Sequence, residues 1–81
     1  MRILLNYETG SVVDMSYMFH GCKNLRKAPD FDTRNVEDMD SMFFGCRSLE
    51  YVPEYNVDNV ECCYEIFGRC YKLKKPKFIS Y

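Results

Sequence analysis

Written in rows of 24 residues, the chain aligns with itself without a gap. Phe19, Phe43 and Phe67 share one column, and Cys22, Cys46 and Cys70 share another. The same offset joins Val12, Val36 and Val60; Met15, Met39 and Cys63; Met18, Met42 and Ile66; Leu25, Leu49 and Leu73; and Phe31, Tyr55 and Ile79. So many apolar columns at one spacing demand a repeat architecture, because each unit carries an apolar face that only a neighbouring unit can cover. The 81 residues therefore read as a single repeat domain, with units near 7–30, 31–54 and 55–78 and with 1–6 as an N-terminal strand.

Within a unit, Val36, Met39, Met42, Phe43 and Cys46 fall at the i, i+3, i+4 type of spacing that places side chains on one face of a helix of about three turns. Helices are expected near 12–20, 36–44 and 60–68. Ser11, Asn35 and Asn59 precede the first apolar position and are placed to cap its free N–H groups, with Asp14 and Asp38 favourable to the positive end. Gly21 and Gly45 suit a left-handed stop. Short extended runs containing Pro29 and Pro53 follow, so strands are expected near 1–5, 25–29, 49–53 and 73–78. Stacking these units gives an α/β fold, a leucine-rich-repeat-like solenoid of about three helix–strand coils with a small parallel sheet.

The segments MSYMFHGCKNL and MDSMFFGCRSL, each preceded by VV or NV with an acidic residue and followed by a strand with Pro, resemble the BspA-like leucine-rich surface-protein repeats of bacteria. The run FDTRNVEDMDSMFFGCRSL is very close to that family's unit, and the resemblance covers nearly the whole chain. It implies a right-handed solenoid with Phe19, Phe43, Cys22, Cys46, Leu25 and Leu49 buried as stacked ladders. It also implies an exported, adhesive role in binding host or matrix proteins. The third unit departs from the pattern, with Arg69 in the glycine column and Cys62–Cys63 where the second unit has Asp38–Met39.

Catalytic chemistry finds little support. Three thiols at Cys22, Cys46 and Cys70 fall short of the four ligands of a structural zinc site, and each reads as a small buried hydrophobe. Cys62 lies off that column and is the thiol most open to oxidation. His20 and Cys22 are two residues apart, about 200° around a helix, and so do not face each other as base and nucleophile. Glu37, Asp38 and Asp40 read as a solvated face, and the four glycines form no phosphate loop. The expectation is a protein that is not an enzyme and needs no cofactor or metal.

Charge is segregated along the chain. Residues 1–27 carry four basic and two acidic side chains, 28–65 two basic and ten acidic, and 66–81 five basic and none acidic, within a formal net charge of −1. The Lys-rich end reads either as protection of a strand edge or as a contact for nucleic acid or an acidic protein, with direct nucleic-acid binding the less favoured. The acidic middle carries aromatics at columns that other units leave polar. Phe44, Glu50, Tyr51, Glu54, Tyr64, Glu37 and Asp40 are the partner-binding candidates, since rings supply rigid contact area and carboxylates steer a basic partner. The function expected is a small module that blocks a basic or nucleic-acid-binding surface of a partner protein, in the manner of a phage or mobile-element inhibitor such as an anti-CRISPR-like protein. The alternative is a bacterial surface or adhesion repeat. No signal peptide or membrane span is read in the sequence, so the inhibitor reading places it in the cytoplasm and the alternative on the cell surface within a longer exported chain. Pairing of two copies through the ends of the array stays open.

Overall fold

The computed structural model describes residues 9–74 and 76–79. Its organising feature is a backbone whose successive amides alternate between two uses. The N–H groups of Met15, Tyr17, Phe19 and Gly21 donate to the carbonyls of Asp38, Asp40, Met42 and Phe44, at 2.7–3.0 Å. Those of Met18, His20 and Cys22, which lie between them, donate to carbonyls three residues back. One unit later the arrangement recurs: Met39, Ser41, Phe43 and Gly45 donate to Cys62, Tyr64, Ile66 and Gly68, while Met42, Phe44 and Cys46 close turns on their own unit. Each unit is thus a chain of tight turns stitched to the next at every second residue.

This pattern replaces the helices expected at 12–20, 36–44 and 60–68; none forms. A helix sends every amide four residues back, whereas here half of them leave the unit. Tyr17, Ser41 and Glu65, near the middle of each expected helix, have φ of 60°, 52° and 55°, in the left-handed region that a right-handed helix excludes. With an i to i+3 bond closing around them, they occupy the third position of a turn of type II character. Gly21 and Gly45 take the expected left-handed conformation, at φ 76° and 79°, but as a second such turn instead of a helix stop.

The parallel sheet is not formed either. Pairing of neighbouring chain segments is confined to single parallel bridges, Asp14 with Asp38, Asp38 with Cys62, and Lys27 with Tyr51. The runs at 25–29 and 49–53 meet only at the last of these, where Glu50 and Tyr51 donate to Arg26 O and Ala28 donates to Tyr51 O. Pro29 and Pro53, which lack an N–H, stop the ladder there. No bridge involves 73–78 among the described residues, and the strand expected at 1–5 lies outside them. The α/β helix–strand solenoid therefore gives way to a small globule of turns, 30 × 28 × 18 Å.

The apolar columns nonetheless meet as ladders. Phe19, Phe43 and Phe67 stack with ring centroids 5.3 and 5.6 Å apart and planes within 14° of parallel. Phe31 and Tyr55 form a second stack beside them. Met39, Met42, Cys46, Leu49 and Val36 of the middle unit are fully buried. Truncating Phe43 at the centre of this stack removes partners on both sides, a loss of about 3–5 kcal/mol by analogy with other buried phenylalanines.

Polar side chains supply further stitches between units. Asn35 and Asn59 do not cap their own segments; their Nδ2 groups donate to Gly10 O and Arg34 O of the preceding unit, at 2.6 and 2.7 Å. Ser11, the third expected cap, is exposed. Asp14 and Asp38 accept from the amides of Ser16 and Asp40, two residues on, which fixes turns instead of complementing a helix end. Thr33, 2% exposed, donates to Asn56 O at 2.7 Å. The cysteine column does more than fill space, because Cys46 Sγ donates to Phe19 O at 3.1 Å and Cys70 Sγ to Phe43 O at 3.0 Å. Burial pushes the Cys46 thiol up to about 12, with the neighbouring Cys70 and Cys22 adding to the shift, and burial raises Cys70 as well. Both thiols stay protonated and able to donate.

Two outcomes follow. Ser41→Gly relieves a left-handed non-glycine residue and should raise the unfolding free energy by about 1 kcal/mol, whereas Gly45→Ala should lower it by a similar amount, as read by urea denaturation. Because the Cys46 thiol titrates higher folded than unfolded, its contribution is complete below about pH 9 and is lost as pH rises toward 12. The alkaline decline in stability should be shallower in Cys46→Ala than in the parent, and equal slopes would contradict this origin.

Candidate functional site

The seven partner-binding candidates separate into two groups that share no hydrogen bond or groove among the described residues. Glu50, Tyr51 and Glu54 come together. Tyr51 is 57% exposed on a backbone held by its bridge to Lys27, so the ring projects from a fixed base. Two shallow grooves flank it. One, of about 830 Å³, is lined by Asn24, Leu25, Arg26, Lys27, Glu50 and Tyr51. The other, of about 340 Å³, includes Glu54, Leu73, Lys74, Pro76 and Phe78 beside the same Glu50 and Tyr51. The ridge between them is therefore aromatic and acidic, with basic and apolar side chains in the walls.

Glu50 is not a bare carboxylate: its Oε2 accepts from Arg26 Nε and Nη2, both at 3.2 Å. Both side chains are largely in solvent, so the pair contributes no more than about 1 kcal/mol. Its effect on the site is to place a guanidinium and a carboxylate side by side along the groove. Arg26, Lys27, Lys74, Leu73, Pro76 and Phe78 were not among the sequence candidates. The one visible signal was the 24-residue spacing of Arg26 and Glu50, which puts opposite charges in adjacent units.

Tyr64, Asp40 and Glu37 belong to the second group, along the line of bridges through Asp14, Asp38 and Cys62. Asp40 Oδ1 accepts from the Tyr64 amide at 2.7 Å, and the Tyr64 ring is 76% exposed. Glu37 has an exposed side chain, while its carbonyl accepts from Glu61 and Cys62. Phe44 stands apart from both groups. It stacks on His20 at 5.2 Å, has the Arg69 guanidinium 5.6 Å from its centroid, and packs so closely over Gly68 that a Cβ there would come within 2.6 Å of its ring. That ring is occupied in holding three units together.

Among the described residues, no three His, Cys, Asp or Glu side chains are placed to hold a metal ion, and no helix is long and apolar enough to cross a membrane. Cys62 is exposed, as expected of an oxidisable thiol, but its environment works against reactivity. Desolvation raises its pKa, and the negative charges of Asp40, Asp38 and Glu61 add to the rise. Since the thiolate is the nucleophile, Cys62 should alkylate slowly at pH 7 and faster as pH rises. Glu61→Gln, which removes one of those charges, should lower the midpoint of its alkylation rate against pH. An unchanged midpoint would contradict the electrostatic part of this account.

No curated protein and no solved structure matches the chain. Residues 2–79 match the family model described as Mycoplasma protein of unknown function, DUF285, so the chain belongs to that family, a repeat family of BspA-like surface proteins.

Proposed function

We propose that this chain is a non-catalytic protein-binding module of the bacterial surface-repeat kind, built of 24-residue units with the MFxxCxxL core and engaging its partner through the ridge of Glu50, Tyr51 and Glu54. The observation that carries this reading is the placement of an exposed tyrosine on an immobilised backbone between two grooves. A ring that is already fixed loses little conformational entropy on binding, and grooves on both sides offer cover against water, the conditions under which a tyrosine dominates an interface. Mixed charge around it favours a partner with both acidic and basic groups. Membership in a family of BspA-like surface proteins supports display on the cell surface.

A second reading rests on the acidic line of Glu37, Asp38, Asp40 and Glu61 beside Tyr64, whose negative potential is felt in the raised pKa of Cys62. That line suits a basic, nucleic-acid-binding partner, which the module would block from the cytoplasm as a phage or mobile-element inhibitor does.

The two readings separate in one capture experiment on the immobilised chain. The ridge variant Glu50→Lys, Tyr51→Ala, Glu54→Lys should weaken retention of the partner about 30-fold or more, the loss expected of a binding hot spot of about 2 kcal/mol. Glu37→Lys with Glu61→Lys should leave retention unchanged. Undiminished binding by the ridge variant would overturn the first reading, and loss of binding in the second variant alone would establish the acidic line instead.

A further inference from the structure

The bonds between units are directional, and this leaves two unlike ends. Amides of one unit donate to carbonyls of the next, from Met15, Tyr17, Phe19 and Gly21 to the second unit and from Met39, Ser41, Phe43 and Gly45 to the third. The corresponding carbonyls of the first unit, Asp14, Ser16, Met18 and His20, accept no hydrogen bond among the described residues. At the opposite end the amides of Glu65 and Arg69 occupy the columns of Ser41 and Gly45 and have no acceptor among the described residues.

Packing at the first end is equally incomplete. Val36, Met42, Cys46 and Leu49 are fully buried in the middle unit, but their counterparts Val12, Met18, Cys22 and Leu25 are only half-buried. A Cβ on Gly45 would touch Gly21 Cα at 3.5 Å, whereas a Cβ on Gly21 would meet nothing within 4 Å. The surface that receives a neighbour inside the molecule is therefore present again at its start, uncovered by any described residue.

We propose that this end receives the third unit of a second copy, head to tail, in the register already used between units. The occupant follows from the path of the chain. An extended peptide cannot match a row of acceptors set on consecutive turns with left-handed residues at Tyr17 and Gly21; only another unit wound on the same turns presents donors at that spacing. Glu65 and Arg69 of one copy then donate to Ser16 O and His20 O of the next, repeating the bonds of Ser41 to Tyr64 and Gly45 to Gly68. The Cys22 thiol of the receiving copy reaches Phe67 O, as Cys46 reaches Phe19 O and Cys70 reaches Phe43 O. Such a contact is heterologous and does not close, so it propagates into a linear assembly. Both ends are basic, with Lys23, Arg26 and Lys27 near the first and Arg69, Lys72, Lys74 and Lys77 near the last. Repulsion between them holds copies apart at low ionic strength, and salt releases the association. The inference does not depend on the ridge function, which uses a different surface.

Sedimentation of the 81-residue chain across concentration at low and roughly 1 M salt, with amide hydrogen exchange on the same samples, tests this. Apparent mass should climb past two copies with concentration and salt, and the Glu65 and Arg69 amides should exchange at least tenfold more slowly in the concentrated, high-salt sample. Met18→Lys, which sets a charge on the receiving end, should abolish the growth. A constant single-copy mass with unprotected Glu65 and Arg69 amides would overturn the proposal, as would growth that stops at two copies. If Met18→Lys fails to fold, the exchange of those two amides in the parent chain decides the matter.

Discussion

Everything else in this molecule depends on one sharing rule, by which every second amide in the 15–21 and 39–45 segments is given to the neighbouring unit and the others close turns at home. The rule explains why an isolated unit is not a structure. Half its amides, along with one side of its Phe, Cys and Leu columns, are satisfied only by a copy 24 residues away. It also explains the backbone's recurring left-handed residues. A chain that must present donors to its neighbour at every second position while turning back on itself needs φ above zero at regular points, and the sequence supplies Gly21 and Gly45 at some but Tyr17, Ser41, Glu65 and Arg69 at others. Each non-glycine residue there costs about 1 kcal/mol, offset by the stacked core.

The columns of the core were legible in the sequence because burial depends on spacing alone. Phe19, Phe43, Cys46 and Leu49 fall where the repeat puts them. The local conformation was not legible, and the reason is physical. Apolar residues at intervals of three and four mark one face of a helix, but consecutive turns closed by bonds three residues apart return side chains to one face at a similar interval. Periodicity cannot tell the two apart. The distinction lies in where the amides go, and Tyr17 and Glu65 in the decisive positive-φ position carry no glycine to announce it. Asn35 and Asn59 misled in the same way, since an amide side chain that can cap its own segment can equally reach the carbonyl of the preceding unit.

The candidate site divides along the same line. That Tyr51 would be exposed could be read from its column, but the grooves around it could not, because their walls combine Arg26 and Lys27, Glu50 and Glu54, and Leu73 and Lys74 from three successive units. Phe44 shows the converse. It resembles a surplus surface aromatic in sequence, yet it bridges His20, Gly68 and Arg69, and the glycine that makes room for it is 24 residues downstream. A rigid scaffold of shared bonds with side chains varied on its outside is well suited to recognition, since the exposed columns change without disturbing the ladders beneath.

The most direct test of the shared-bond account is the scalar coupling that passes across a hydrogen bond from amide nitrogen to carbonyl carbon, measured on the isotopically labelled chain. The account predicts couplings from Met15, Tyr17, Phe19 and Gly21 to the carbonyls of Asp38, Asp40, Met42 and Phe44, and from Met39, Ser41, Phe43 and Gly45 to those of Cys62, Tyr64, Ile66 and Gly68. Couplings from these amides to carbonyls four residues back within their own unit would show helices in their place and would contradict it.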